Sequence, residues 1–325
     1  MDGSKTAQAV ARYWDDNRLK SKDPTFWMAH PLCRQAINKR VSGSPNEWPL
    51  DWFKRVHVRR AYERGLSWGC GLGSFERAAV RVGLVGEIDA FDLSDRSLAD
   101  ARLEAEKEGI TGINYQIGDF NNPKLESNRY DVVFFHASLH HVSSMERLFR
   151  RLAFSLKPRA AVYVDEYVGP SRQDWQLSDL GMAQALLDIL PDDAKVGPTI
   201  NPPIEPNDPS EAIRSSEIEE FLLDFVDLID WKPYGGQLVD LVLPYVSHDW
   251  STSAEGMRYV QSLLGIEDFE LARRPSSSHY LVAFGTFKPL WRLGRPLGKQ
   301  VKRAARRRLL GIAAALRRLK QGGIS

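Results

Sequence analysis

The chain has 325 residues, 43% of them hydrophobic and 26% charged, which suffices for one large core or one α/β domain with additions. No apolar run approaches the roughly 20 residues that span a bilayer, and residues 1–25 lack the apolar stretch of a secretory signal. Its two cysteines, Cys33 and Cys70, exclude a disulfide framework and a cysteine-based metal site, so we expect a cytoplasmic protein.

Residues 1–60 are rich in tryptophan and interrupted by proline, a pattern that predicts helices and loops. We expect one helix over about 6–19 and another over about 31–42. Because exposed tryptophan side chains are unfavourable, the segment is expected to pack on the rest of the chain, either as core or against a ligand. We interpret residues 1–60 as an N-terminal helical cap.

From residue 61 the sequence alternates between strand-like and helix-like segments. Strands are predicted at 64–68, 87–91, 112–117, 131–135 and 160–165, and helices at 75–82, 94–108 and 144–156. This alternation predicts a Rossmann-like, doubly wound α/β sheet with helices on both faces. The domain is predicted to cover 61–287 and to be mostly parallel, with an antiparallel last strand at 279–287.

Two segments interrupt the alternation. Residues 170–211 combine a predicted helix over about 176–190 with a proline-rich stretch, and we interpret them as an inserted cap. A helix at 216–223 and a strand at 225–230 resume the pattern, and residues 235–270 form a second excursion. No internal repeat is visible.

The loop Gly69-Cys70-Gly71-Leu72-Gly73 lies between the first predicted strand and the helix after it. Such glycines let a ligand approach the backbone closely, although a plain tight turn also uses them. Asp92 follows the second strand, where a carboxylate can accept hydrogen bonds from both ribose hydroxyls; capping of the next helix is the alternative. The dinucleotide fingerprint G-x-G-x-x-G would need glycine at Ser74, so a different adenosine cofactor is favoured over NAD.

The G-x-G-x-G spacing around Cys70 resembles motif I of class I S-adenosylmethionine (SAM)-dependent methyltransferases. Segments 90–94, 117–120, 130–141 and 152–158 are similar to later motifs of that family, in the same order. The resemblance covers about 61–167 and implies SAM as the cofactor and methyl transfer as the activity. The cofactor-binding residues that it implies are Ser67, Gly69, Cys70, Gly71, Gly73, Asp92, Leu93, Asp119, Phe120 and His136.

Within that set, Asp119 is expected to reach the adenine amino group and Phe120 to pack beside the ring. One position departs from the family, which commonly has Glu or Asp two residues before the first glycine, facing the cofactor's amino group. This chain has Ser67 there. Binding of the methionine end would then depend on backbone carbonyls or on an acid from the cap.

Methyl transfer from a sulfonium needs alignment above all, and a hydroxyl acceptor also gains from a general base. The segment 136–141 follows the fourth strand and holds three of the seven histidines, of which His140 and His141 are the candidate bases. Helix capping or packing beneath the cofactor is the alternative for this pair. Glu166 is a further candidate base or sugar-binding residue, and Arg172 a candidate substrate-binding residue, unless the two form a salt bridge at the root of the inserted cap.

The predicted activity is O-methylation of a small molecule or glycan, because the Asp/Asn-Pro-Pro-Tyr/Phe motif of amino-group methyltransferases is absent. The alternatives are an NAD(P)-binding oxidoreductase and a non-catalytic SAM-fold binding protein. No metal is predicted, because the acids are dispersed and the adjacent His140 and His141 cannot place both rings on one side of a helix.

The C-terminal segment is strongly basic, whereas the rest of the chain is acidic. After Glu270 there are 14 Lys or Arg and no acid, so the first 270 residues carry 30 basic against 42 acidic groups. Read as a helix, 288–320 has a continuous apolar stripe and 12 basic residues, which predicts a basic amphipathic tail (288–325) suited to an anionic membrane surface. The alternatives are docking on a partner copy, a solubilising end and, less favoured, nucleic-acid binding, since no aromatic residue follows Trp291.

Overall fold

A seven-stranded sheet runs through the computed structural model, which describes residues 3–17, 19, 26–176 and 180–289. The strands are β1 (Tyr62–Trp68), β2 (Val85–Asp92), β3 (Ile113–Ile117), β4 (Tyr130–His136), β5 (Leu156–Tyr167), β6 (Val226–Gly235) and β7 (Tyr280–Phe287). Their order across the sheet is β3-β2-β1-β4-β5-β7-β6, and β7 runs antiparallel to both of its neighbours. The predicted Rossmann-like sheet, mostly parallel with an antiparallel last strand, is confirmed.

Helices cover both faces of the sheet. They are α1 (Gly3–Asn17), α2 (Pro31–Ser42), α3 (Pro49–His57), α4 (Ser74–Arg81), α5 (Asp95–Lys107), α6 (Met145–Ser155), α7 (Gly181–Asp188), α8 (Ile218–Phe225), α9 (Val239–Val242), α10 (His248–Ser251) and α11 (Ala254–Arg273). A short 3-10 helix, Leu139–His141, follows β4. The strands are therefore buried from both sides, as the apolar run at 131–135 predicts.

Strand β4 shows how the core is divided. Val132 and Phe134 pack into one apolar cluster with α2 to α5, and Val133 and Phe135 pack into a second with α6 and α8. Alternate side chains of a strand point to opposite faces, so a strand buried on both faces must be apolar at every position. Strand β4, buried on both faces, ends at the carboxyl edge of the sheet, beside the start of the glycine loop.

Three elements differ from their predicted bounds. Helix α3 was not predicted, although Pro49 is well tolerated in a first helical turn and Trp52 and Phe53 are buried. Strands β5 and β6 extend beyond the predicted 160–165 and 225–230. Antiparallel pairing with β7 continues β5 to Tyr167 and β6 to Gly235, and Leu156 at the start of β5 pairs with Tyr130 of β4. In the inserted cap, α7 begins at Gly181 instead of about 176.

The N-terminal helices are anchored to the second excursion. Arg40 of α2 forms an ion pair with Glu267 of α11 at 2.6 Å, and Glu267 also accepts the backbone N–H of Gly236 at 3.0 Å. Helix α2 also packs against β6. Helix α2 of the cap predicted over 1–60 is thus attached to α11 and β6.

The predicted basic tail lies, from residue 290 onward, outside the described residues, and its helix and membrane contact stay predictions. Within the ranges that the structure describes, no helix has the length and apolar character needed to cross a bilayer.

Candidate active site

The glycine loop (69–73) turns between β1 and α4 through left-handed backbone. Gly69, Gly71 and Gly73 have φ of 66°, 50° and 68°, which side-chain-bearing residues rarely adopt. A Cβ at Gly69 would meet Ser138 Cβ at 2.7 Å, whereas one at Gly71 would meet nothing within 4 Å. The loop is therefore closed against the segment after β4 and open at its centre, where a ligand can reach the backbone.

Asp92 lies directly against this loop. Its Oδ2 accepts the N–H of Gly71 at 2.8 Å and its Oδ1 the N–H of Ser94 at 2.8 Å. Burial raises the pKa of the Asp92 carboxyl, because a low-dielectric surrounding disfavours the charged form. The side-chain cap of α5 is Ser94, whose oxygen accepts the N–H of Ser97 at 3.0 Å. The structure thus brings together the loop and the acid on which the nucleotide-site prediction depends.

An aromatic wall stands on the β3 side of Asp92. Phe120 is buried, with its ring centroid 6.4 Å from that of Trp68, and Trp68 stacks on Phe91 at 4.6 Å. Asp119 precedes Phe120 and is half-buried, as is Leu93 after β2. A flat apolar wall with a carboxylate beside it suits a purine ring and its amino group.

Ser67 and Cys70 are buried at the start of the loop. The Ser67 hydroxyl donates to Oε1 of Glu76 at 2.5 Å, and Glu76 on α4 is only 1% exposed. Burial raises the pKa of the Cys70 thiol, which therefore stays protonated and is no nucleophile. It also raises the pKa of the Glu76 carboxyl.

Several buried polar atoms around the loop make no hydrogen bond to any described residue. They are Ser138 Oγ, Glu76 Oε2 and Trp68 Nε1. Buried polar atoms in proteins are nearly always partnered, so a polar ligand at this edge would account for them. The open centre of the loop, Asp92, the aromatic wall and these atoms together fit the cofactor that the resemblance implies.

The chain turns sharply after β4. His136 is exposed, and its ring stacks on Phe75 at 4.8 Å with an interplanar angle of 21°. Ala137 has φ of 48° and donates its N–H to the Asp165 carbonyl at 2.9 Å. Left-handed backbone at a non-glycine residue costs on the order of 1–3 kcal/mol and is concentrated at functional sites. The turn carries residues 138–141 over the carboxyl edge of the sheet.

Glu166 holds one of the two candidate bases. His140 Nδ1 donates to Glu166 Oε2 at 2.7 Å, while Glu166 Oε1 accepts the backbone N–H of Ser138 and, at 2.6 Å, that of Leu139. Because an ionised carboxylate only accepts hydrogen bonds, His140 carries a proton on Nδ1 and presents Nε2 to the other side. The Glu166 oxygens are thus taken up by three donors. Glu166 therefore orients the His140 ring, and its own role as a base stays a prediction.

The charges of this pair reinforce each other. Burial opposes protonation of His140, but the carboxylates of Glu166 and Glu211 outweigh it and raise the pKa of His140 to about 9. Burial also opposes ionisation of Glu166, and His140 again outweighs it, so the pKa of Glu166 is lowered. At neutral pH the pair is an imidazolium and a carboxylate. Neutral His140, the form that accepts a proton, becomes the main species only above about pH 9.

His141 occupies a different environment. Its Nδ1 lies 3.2 Å from Ser210 Oγ and 3.7 Å from Asp208 Oδ2, both in the inserted cap. Burial and the charge of His140 lower the pKa of His141. The two histidines therefore differ: one is held charged at rest by Glu166, and the other is held neutral.

The geometric argument against a metal at this pair is wrong. The rings of His140 and His141 are neighbours, with centroids 4.1 Å apart, although adjacent residues of a 3-10 helix leave the backbone about 120° apart. With Glu211 they offer ligand atoms that all lie within 4.8 Å of one another. The Glu211 oxygens are 3.8 Å from His140 Nε2 and 3.9 Å from His141 Nε2, whereas ligand atoms on tetrahedral zinc lie roughly 3.4 Å apart. The absence of a functional metal stays a prediction.

Arg172 fastens the inserted cap. Its guanidinium donates to the carbonyls of Asp208 at 3.0 Å and Glu205 at 3.3 Å. The alternative of a Glu166–Arg172 salt bridge is wrong, because Glu166 is hydrogen-bonded to His140 and to the backbone of Ser138 and Leu139. Substrate binding by Arg172 stays a prediction. The N–H of Ile213 donates to the His140 carbonyl at 3.1 Å, so the chain after the inserted cap is tied to the histidine segment.

Helix α1 covers both parts of the site. Asp15 Oδ1 accepts from the Ser94 hydroxyl at 2.6 Å and from the Arg96 N–H at 3.3 Å. One residue earlier, the Trp14 ring meets the His141 ring edge-to-face at 5.5 Å. The helix therefore spans from the residue beside Asp92 to the histidines.

Sequence analysis missed Glu76, Asp208, Glu211 and the two contacts of α1. For Glu76 a signal existed: an acid within the helix after a strand that lacks its expected acid at Ser67. Nothing in the sequence around Asp208 or Glu211 marks them, because only the fold of the inserted cap brings them to the histidines.

The strands that carry the glycine loop, Asp92 and the histidines resemble those of known proteins. Residues 66–164 match the family model of a methyltransferase domain. A search of curated proteins returned no match. Among solved structures, phosphoethanolamine N-methyltransferase 2 of Haemonchus contortus in complex with SAM is 18% identical, with a TM-score of 0.48, and the match covers 83% of this chain and 59% of that one. The YcgJ protein of Bacillus subtilis is 15% identical, with a TM-score of 0.44, over 74% of this chain and 97% of that one.

The matched range contains the glycine loop, Asp92 and both candidate histidines. An NAD(P)-dependent oxidoreductase and a non-catalytic binding protein are not favoured by this match. Residues 66–164 therefore carry a methyltransferase domain of the class I type, and the glycine loop and Asp92 within it fit SAM as the cofactor.

Proposed function

We propose that the protein methylates a hydroxyl oxygen of a small molecule or glycan, with His140 accepting the hydroxyl proton. The observation that carries this proposal is the bond from His140 Nδ1 to Glu166 at 2.7 Å, beside the cofactor loop. In its neutral form, which increases as the pH rises toward about 9, the His140 imidazole is held in one tautomer with Nε2 free to accept a proton, as general-base catalysis requires.

SAM supplies an activated methyl group, and the electron pair of its carbon–sulfur bond stays with sulfur when the acceptor oxygen bonds to carbon. Nε2 of His140 takes the proton that the hydroxyl loses. Glu166 stabilises the imidazolium that this creates, as its charge already does in the resting protein. Trp14 and the inserted cap cover the histidines, which limits the access of water.

The charges around the histidines favour a neutral acceptor. Glu166, Asp208 and Glu211 surround them, and within the described ranges none of these carboxylates is ion-paired to lysine or arginine. Such a wall repels a phosphate or carboxylate on the acceptor, whereas carboxylates accept hydrogen bonds from sugar hydroxyls. A polyhydroxylated or phenolic acceptor without negative charge fits best.

The test is methyl transfer from SAM labelled in its methyl group. The purified full chain is incubated with neutral glycosides, phenols, amines and anionic sugars, and the labelled product is located by mass spectrometry and NMR. We expect label on oxygen of an uncharged acceptor. Label on nitrogen or carbon would overturn the proposal.

A further inference from the structure

Glu76 is a buried acid that the proposed methyl transfer does not use. It lies in the first turn of α4 and is 1% exposed. Among the described residues no lysine or arginine forms an ion pair with it, and its Oε2 has no hydrogen-bond partner. A carboxylate without a cation is costly to bury, so this position needs an explanation beyond packing.

The surroundings of Glu76 place it at the root of the glycine loop. Its Oε1 accepts the hydroxyl proton of Ser67, which is two residues before Gly69. The charge of its carboxyl contributes to the raised pKa of the Cys70 thiol, and the charges of His136 and Asp92 act on the Glu76 carboxyl. Glu76 is therefore enclosed between β1, the loop and the end of β4.

The methionine end of SAM carries an ammonium group, which could pair with a buried carboxylate in this part of the site. Asp92, at the end of β2, and the aromatic wall near β3 are the residues expected to bind the ribose and the purine. This leaves the β4 side of the loop as the place where the amino acid end of SAM would bind. The ammonium group needs a carboxylate or carbonyls around it. The sequence has no acid at Ser67, and the structure has the Glu76 carboxylate hydrogen-bonded to that serine.

We propose that Glu76, oriented by Ser67, binds the ammonium group of the methionine end of SAM. The acid is supplied from the helix after the glycine loop and not from the strand before it. The ammonium would donate a hydrogen bond to Glu76 Oε2, which has no partner among the described residues. This assignment concerns cofactor binding and holds for any methyl acceptor.

The experiment is calorimetry of the full chain and its Glu76→Gln variant with four probes. SAM and S-adenosylhomocysteine carry both the amino and the carboxyl group, decarboxylated SAM carries only the amino group, and 5′-methylthioadenosine carries neither. If Glu76 makes a charged hydrogen bond to the ammonium, Glu76→Gln should weaken the binding of all three amino-bearing probes by the same factor, roughly 10- to 100-fold. The affinity for 5′-methylthioadenosine should not change. Glu106→Gln, an equal charge change on the exposed face of α5, should leave all four unchanged.

Each other outcome overturns the proposal. Equal weakening of 5′-methylthioadenosine would mean that Glu76 only supports the loop. If Glu76→Gln weakened binding of SAM but not of S-adenosylhomocysteine, Glu76 would act on the sulfonium. If it weakened the binding of no probe, Glu76 would not contact the cofactor. Circular dichroism and the unfolding curve of the apo protein check that the variant folds. The Ser67→Asp change in the Glu76→Gln background should restore affinity for the three amino-bearing probes, and failure of that rescue in a folded protein also counts against the proposal.

Discussion

The two halves of the site are built in different ways. On the cofactor side, the main contact joins Gly71 to Asp92, 21 residues apart, through a backbone N–H. On the acceptor side, His141 meets Ser210, 69 residues away, and Trp14 of the N-terminal helix, in both cases through side chains. A site made by one loop and one strand is set by local sequence, whereas a site assembled from distant segments is specific to the whole chain.

The largest effect should come from His140→Ala. Loss of a general base lowers transfer by on the order of 10²- to 10⁴-fold, and we expect about 10³-fold here. SAM affinity should not change, because no contact of the cofactor side is lost. Single-turnover transfer and calorimetry measure the two quantities, with the exposed His248→Ala as control. An equal loss of SAM affinity would show that the halves are not separable.

Asp92→Asn should give the opposite result. Asparagine keeps one acceptor oxygen where Asp92 uses two, for Gly71 and Ser94 and for the ribose that it is expected to bind. Losing charged hydrogen bonds of this kind should weaken SAM binding by roughly 100-fold, with transfer at saturating SAM nearly retained. The neighbouring Asp95→Asn, exposed on the first turn of α5, is the matched control in the titration. Equal weakening in both variants would contradict the role of Asp92.

Glu166→Gln should shift the pH dependence of methyl transfer. The pKa of His140 is about 9, so the wild-type rate should rise with pH up to about that value. Without the Glu166 charge, the largest of the effects that raise the pKa of His140 is lost, so that pKa falls and the rise in rate moves to lower pH. Looser orientation of the ring should reduce the plateau rate by about tenfold. A pH–rate profile of both proteins tests this, and an unmoved midpoint would show that Glu166 does not act through His140.

The same pKa shift affects stability. The folded-state pKa of His140 lies above the ordinary value of 6.5, so charged His140 contributes stability that is complete below about pH 6.5 and is lost as the pH rises through about 9. Urea unfolding at several pH values should show this decline in wild type, and His140→Gln should remove it. A decline of equal size in the variant would mean that another group is responsible.

The smallest effect should follow metal removal. The Glu211 oxygens lie farther from both histidine nitrogens than a shared small cation requires, and His140 already has a role in proton transfer. We expect dialysis against EDTA to leave SAM binding and transfer unchanged, with no stoichiometric metal by mass spectrometry. A bound metal whose removal slows transfer would make the acceptor side a Lewis-acid site.

How far the sequence predicts this molecule follows the same division. Strand β4 was predicted because all its side chains between Val132 and Phe135 are apolar, a property set by its central place in the sheet. The extension of β5 back to Leu156 was not predicted, because Lys157 and Pro158 are poor strand residues and the start of β5 is joined to β4 only by the pairing of Leu156 with Tyr130.

The candidate site shows the contrast again. Asp92 and the glycine loop could be paired from their spacing, since one follows the strand next to the other. Glu211 could not be placed, because its approach to the histidines depends on how the inserted cap returns over them. The rings of His140 and His141 were misplaced, because the angle between adjacent residues on a helix does not fix where their side chains end: Glu166 holds one ring and Ser210 contacts the other.

The bond from Gly71 to Asp92 has a thermodynamic consequence. The loop is already fixed in its left-handed shape by a contact within the protein, so the conformational entropy of ordering it is lost during folding and not on association with the nucleoside. The affinity for the nucleoside should therefore depend on how well it fits the site, with little loss of free energy for ordering the loop. Hydrogen exchange at the Gly71 amide should also be slow in the protein without cofactor.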